Sequence, residues 1–111
     1  MTRSGELIQG TLDLLILTTL AAEPAHGWGI AQRIRDRSAE ALQVQQGSLY
    51  PALHRLEQQG WITADWGEAE NNRKVRVFRL TRDGRKALAR EVDSWDRLSA
   101  AVNLIVRSAA V

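Results

Sequence analysis

QGSLYPALHRLEQQGWITADWGEAENNRKVRVFRL, residues 46–80, is the stretch that decides the fold. It sets an amphipathic helix directly before a hairpin whose tip is polar and basic. Leu49, Leu53 and Leu56 recur at helical spacing and make one apolar stripe. At about 100° per residue, Pro51, His54, Arg55 and Gln58 fall on the opposite side, with Ser48 and Tyr50 at its margins. One face packs and the other is free to read a groove. Ser48 is placed to cap the first free N–H groups, and Pro51 falls in the first turn, where a missing donor costs little. Gly60 supplies the left-handed residue that stops the helix. The predicted helix spans 48–59.

Ile62, Ala64 and Trp66 alternate along a short strand, and after the loop GEAENNR a second strand, KVRVFRL, returns. The loop and the residue after it, 67–74, form a wing. The return strand does not alternate cleanly, because Val75 and Val77 share one side while Phe78 and Leu80 share the other. It is either covered on both faces or slips through a bulge near Val77. A helix followed by such a hairpin is the reading half of a winged helix.

A chain of 111 residues with 44% hydrophobic composition is one domain by size and folds without staples. It has no cysteine, so disulfides and thiolate metal sites are excluded, and a reducing compartment, the cytoplasm, is the expected location. The two histidines have no ligand-type spacing, so no metal and no cofactor is expected. The apolar run LDLLILTTLAA resembles a signal peptide only superficially, since Asp13 interrupts it and it is shorter than the ~20 residues of a membrane span. A buried helix opening at Gly10 or Thr11, with Asp13 in its first turn near the helix dipole, accounts for it better. Formal net charge is only +2. Its distribution is uneven: Arg73, Lys74, Arg76, Arg79, Arg82, Arg85, Lys86 and Arg90 face a single nearby acid, Asp83. Arginine suits phosphate and guanine edges, although a solvated charged face has the same composition.

Working outward, residues 11–22 make a first helix with Leu12, Leu15, Ile16 and Leu20 inward, ended by the turn Glu23-Pro24-Ala25. His26 to about Ser38 make a second helix with Ile30 and Ile34 inward, and 39–45 turn into the reading helix. Thr81 to about Arg107 reads as one helix, ~40 Å long, which must overhang the core. Leu88, Val92, Trp95, Ser99, Val102 and Val106 recur in steps of four and three, widened by Leu98 and Ile105. An overhanging apolar stripe needs a partner, and a second copy of the chain is the most available one. The expected fold is mainly α with a small two-stranded hairpin. Residues 1–80 are expected to form a winged helix-turn-helix DNA-binding domain with a short extension, 1–9, and residues 81–111 a C-terminal dimerisation helix.

Taken together, GTLDLLIL (10–17), HGWGIAQRI (26–34), GSLYPALHRLEQQGWI (47–62), ENNRKVRVFRLT (70–81) and the tryptophan of DSWDRLSAAV (93–102) resemble the PadR-like bacterial transcriptional regulators of the short type with one C-terminal helix. The resemblance covers about residues 7–107. It implies a homodimeric winged helix-turn-helix repressor, with the helix from Ser48 in the major groove of double-stranded DNA and the loop Asn71 to Arg73 on phosphates or the minor groove. Ser48, Tyr50, Pro51, His54 and Arg55 occupy the end of the reading helix that approaches DNA in such docking. Arg55 suits guanine O6 and N7, and Tyr50 a phosphate. Asn71, Asn72, Arg73 and Lys74 complete the expected DNA contacts. In multidrug-sensing relatives a tryptophan of the long helix stacks on flat aromatic drugs in the dimer cleft, and Trp95 matches that position. The resemblance thus implies an aromatic small-molecule effector, with Val92 and Ser99 beside Trp95 and with Leu7, Ile8 and Leu12 of the first helix lining the same cleft. The chain departs from binders of cationic drugs at Ser99, where an acid is expected.

Each residue also has a purely structural explanation. Trp95 on a dimer stripe can serve packing alone. Trp28, Trp61 and Trp66 sit at the edges of apolar patterns and are expected in core or strand packing. His54 faces the groove side, while His26 opens the second helix and suits local hydrogen bonding or a phosphate. Asn71 and Asn72 suit the left-handed conformations of a hairpin tip, whereas Arg73 and Lys74 have little to do for the fold. A winged-helix protein–protein module without DNA binding is the alternative reading. An enzyme finds no support, since paired catalytic carboxylates, a phosphate-binding glycine loop and a nucleophile elbow are all missing from the sequence.

Overall fold

The run TLDLLILTTLAA is apolar all round because the helix it forms lies between the other elements. A computed structural model describes residues 9–109 in the order α1 (Gln9–Ala22), β1 (Ala25–His26), α2 (Gly27–Arg37), α3 (Gln46–Gln58), β2 (Ile62–Glu68), β3 (Lys74–Leu80) and α4 (Arg82–Ala109). α1 packs against α2, α3, β3 and α4, and buries Leu12, Leu14, Ile16, Leu17 and Leu20. Full burial of each such side chain contributes about 1.5–3 kcal/mol. Thr19 fits this apolar setting because its hydroxyl donates to the Leu15 carbonyl at 2.8 Å, and the exposed Thr18 donates to the Leu14 carbonyl at the same distance. Asp13 lies beyond the first turn and meets Arg55 instead of the helix dipole.

α2 is capped by His26, whose Nδ1 accepts from the Gly29 N–H at 3.0 Å, and it sends Ile30 and Ile34 into the core. It ends with two residues in the left-handed region, Ala39 (φ 52°) and Glu40 (φ 66°). The Ala39 N–H reaches the Asp36 carbonyl and the Glu40 N–H that of Arg35, the pattern that satisfies the last free carbonyls of a helix.

α3 starts two residues earlier than the sequence suggests. Gln45 is its N-cap and makes no side-chain capping bond. Ser48, expected as the cap, lies inside the helix and donates its backbone N–H to Gln45 O at 3.0 Å. Pro51 therefore falls in the second turn. At the other end Gly60 adopts φ 79° as expected. The Gly60 and Trp61 N–H groups return to the Glu57 and Leu56 carbonyls.

β2 and β3 pair in unbroken antiparallel register, from Ile62 opposite Leu80 to Glu68 opposite Lys74, so there is no bulge at Val77. The sheet has three strands, in order β1-β3-β2, where the sequence suggests two. Residues 25 and 26, read as turn and helix start, pair with Phe78 and Val77. That pairing explains the mixed pattern of β3: Phe78 is buried, and Val75 and Val77 on the opposite face are half-buried.

α4 is fixed at its root. Thr81 Oγ1 donates to Gly60 O at 2.7 Å and accepts from the Gly84 N–H at 2.9 Å, while its backbone N–H donates to Trp61 O at 3.0 Å. Gly84 is buried so closely that a Cβ there would lie 2.0 Å from Trp61 O. The helix has 28 residues, about 42 Å at 1.5 Å each, and overhangs as expected. The radius of gyration is 15.4 Å, against about 13 Å for a compact chain of this length.

Candidate nucleic-acid interface

Burial of Leu49, Ala52, Leu53 and Leu56 orients α3, leaving Pro51, His54 and Gln58 exposed on the far side. Two flanks lie between. Tyr50 and Glu57 face the sheet: the Tyr50 ring rests on Gly27, where a Cβ would lie 2.8 Å from its hydroxyl, and Glu57 accepts from Arg76 Nη2 at 2.8 Å. Arg55 occupies the other flank. Its Nη2 lies 2.6 Å from Asp13 Oδ1, and its Nε is buried without a hydrogen-bond partner among the described residues. Sequence reasoning puts Arg55 on the groove face with His54, but the half-buried carboxylate of α1 draws it away. Burial raises the Asp13 carboxyl above the ordinary value of 3.8, and the hydrogen bond and charge of Arg55 only partly oppose this.

The hairpin tip is a tight turn with Asn72 at φ 63°. Asn71 Oδ1 accepts from the Arg73 N–H at 3.2 Å, and the Asn72 N–H donates to Ala69 O at 3.0 Å. Both asparagines thus have a structural task in the turn. Arg73 and Lys74 are exposed and have no carboxylate partner among the described ion pairs. Trp66 and Trp28, expected in core or strand packing, are 73% and 61% exposed. They differ from Trp61, which packs against the core, because the hairpin extends past the body and because α2 begins at the surface. Trp28 stacks on His26 with ring centroids 6.3 Å apart. These aromatic residues and the wing cations border a trough of about 280 Å³ between α3 and the wing.

The stripe of α4 is exposed. Val92, Trp95, Leu98 and Val102 show 41–57% of their surface, while Leu88 packs partly on the core. Ser99 Oγ donates to Asp96 O at 3.3 Å. Leu12, expected in the cleft beside Trp95, is buried in the core at 3% exposure, and Leu7 and Ile8 lie outside the described residues. Among the described residues no cluster of metal-binding side chains occurs and no helix is long and apolar enough to cross a membrane.

A helix with a polar outer face, a basic wing and an apolar rod together make a winged-helix fold with a projecting helix, and known proteins share this arrangement. The pattern of the Transcriptional regulator PadR-like family matches residues 16–90. Transcriptional regulator Rv3488 of Mycobacterium tuberculosis is 32% identical over 94 residues, covering 85% of this chain and 84% of that one. The PadR-like transcription factor from Bacteroides fragilis superposes with a TM-score of 0.71 at 31% identity, over 87% of this chain and 91% of the other. A transcriptional regulator from Clostridium thermocellum gives a TM-score of 0.79 at 28% identity, over 86% and 93%. This chain belongs to the PadR-like family of transcriptional regulators.

Proposed function

We propose that this chain is a dimeric, sequence-specific DNA-binding repressor acting in the bacterial cytoplasm. α3 enters the major groove with Ser48, Tyr50, Pro51 and His54 foremost. The wing contacts phosphates or the minor groove through Asn71, Asn72, Arg73 and Lys74. Arg55 acts as a positioning residue that holds α3 to α1 through Asp13. The observation that carries this reading is the exposed polar ridge of α3 beside two wing cations without carboxylate partners among the described residues. Two such heads are joined by the apolar stripes of two α4 helices, and an aromatic small molecule stacked on Trp95 between them is the effector that releases DNA.

Release requires that the ligand favour the unbound geometry, since a ligand that fits both equally shifts nothing. Titration of duplex from upstream of the chain's own gene at two ionic strengths tests the reading, because phosphate contacts make log K fall linearly with log salt. Affinity without salt dependence, or none at all, favours a protein–protein module. Footprinting should show two half-sites about 34–36 Å, or a multiple of that, apart.

A further inference from the structure

Two tryptophans that the fold leaves largely in water, Trp28 and Trp66, both line the trough between α3 and the wing. Leaving an indole exposed forgoes the stabilisation that 150–250 Å² of buried aromatic surface provides, and neither Trp28 nor Trp66 supports the core. β3 is paired with β1 only as far as Val77, so its edge from Val75 toward the tip stays open beside Trp28. The trough continues there into a second hollow of about 500 Å³ that shares His26, Trp28, Tyr50 and Arg73. Charge along it stays positive: Arg76 answers Glu57, and of the rest Arg73 and Lys74 outnumber Glu70, the acid that lines the second hollow.

We propose that this trough seats one sugar–phosphate strand of the duplex, with Trp28 and Trp66 packed on deoxyribose rings and Arg73 and Lys74 holding the flanking phosphates. The inference rests on the DNA-binding reading above. If α3 lies in the major groove and the wing reaches the neighbouring minor groove, the part of the duplex between them is a single backbone. Bases in a duplex are stacked and paired, so the apolar surface a tryptophan meets at the groove rim is the C–H edge of the sugar. An indole suits that place because its body is apolar and its N–H can donate to a phosphate oxygen. His26 adds a second donor: its Nδ1 is occupied as acceptor by the Gly29 N–H, which leaves the proton on Nε2.

The test is the double variant Trp28→Ala/Trp66→Ala, checked for native circular dichroism and sedimentation, and titrated with operator and random duplex at several salt concentrations. Expected is a loss of roughly five- to thirtyfold, equal for both sequences and with an unchanged salt slope, because the lost contacts carry no charge. Trp28→Phe/Trp66→Phe should recover most of it. Unchanged affinity overturns the proposal, as does a loss confined to one sequence or tighter binding of single strands than of duplex. Retained duplex binding by a folded alanine variant sinks the seat alone. Failure of the unaltered protein to bind duplex removes the DNA-binding reading and the seat with it.

Discussion

Arg55 Nη2 stands 2.6 Å from Asp13 Oδ1 and ties the reading helix to α1. Side-chain exposure is 30% for the arginine and 15% for the aspartate, so water screens the pair only in part. Because burial outweighs pairing at Asp13, the ionised carboxylate is less comfortable in the native protein than in the unfolded chain. The two halves of the pair should then respond differently to removal.

Arg55→Ala leaves that carboxylate shielded and without its cation, and should destabilise the protein by about 1–3 kcal/mol. Asp13→Asn keeps an acceptor and should cost within about 1 kcal/mol at neutral pH. Urea denaturation of both variants checks the asymmetry, and equal losses would contradict it.

The same site fixes a sign for pH dependence. As pH rises past 3.8, the unfolded chain loses the Asp13 proton before the native chain does, so the native state holds more protons and stability falls with pH. The favourable contribution is present below 3.8 and is gone once pH exceeds the raised native value. Relative to Asp13→Asn, the unaltered protein should lose stability across that window and run parallel above it. A difference that grows with pH would reverse the assignment.

Gly84→Ala sets two effects against each other. Alanine gains up to about 1 kcal/mol of helix propensity, but its Cβ would lie 2.0 Å from the Trp61 carbonyl, and forced overpacking costs about 1–3 kcal/mol or more. The clash is with backbone that cannot rotate away, so net destabilisation and a lower thermal midpoint are expected.

Ala39 holds φ 52° where glycine is at ease. Ala39→Gly should stabilise the protein by about 0.5–1 kcal/mol, read as a higher urea midpoint at unchanged slope.

Arg73→Ala should weaken binding to every duplex alike and reduce the salt slope by roughly 1. Gel retardation across a salt series measures it, and a loss for one sequence only would move Arg73 from phosphate to base contact.

Trp95 is 45% exposed on the rod. An aromatic ligand should quench its fluorescence and loosen operator binding, and Trp95→Ala should abolish both while the dimer persists. A Trp28→Phe/Trp66→Phe background removes the other exposed indoles and leaves Trp61, packed against the core, as a constant contribution beside Trp95. An unaltered ligand response in the Trp95 variant excludes stacking there.

Much of this was legible in the chain because it is written in local periodicity. The stripe Leu49, Leu53, Leu56, the left-handed Gly60 and the unbroken run after Gly84 each depend on neighbours within a turn or two. What escaped depends on distant partners. β1 is a strand only because Phe78 and Val77 lie opposite it. Arg55 has the right spacing for the groove face, and an acid 42 residues earlier turns it aside. Helical spacing puts Leu12 inward while the resemblance places it in the cleft, and the central position of α1 buries it. Trp28 and Trp66 sit at the edges of apolar patterns and so read as core or strand packing, and only the layout of the hairpin and α2 reveals that the described residues leave them largely uncovered. Ser48 has capping chemistry, but the helix begins at Gln46.

The weld of Thr81 to Gly60 and Trp61 makes the rod a lever arm whose fulcrum is the tail of the reading helix. Over about 42 Å, each degree of pivot at the root sweeps the distal end by about 0.7 Å. Wherever two such arms are clasped, a slight scissoring between them changes the distance between the two heads.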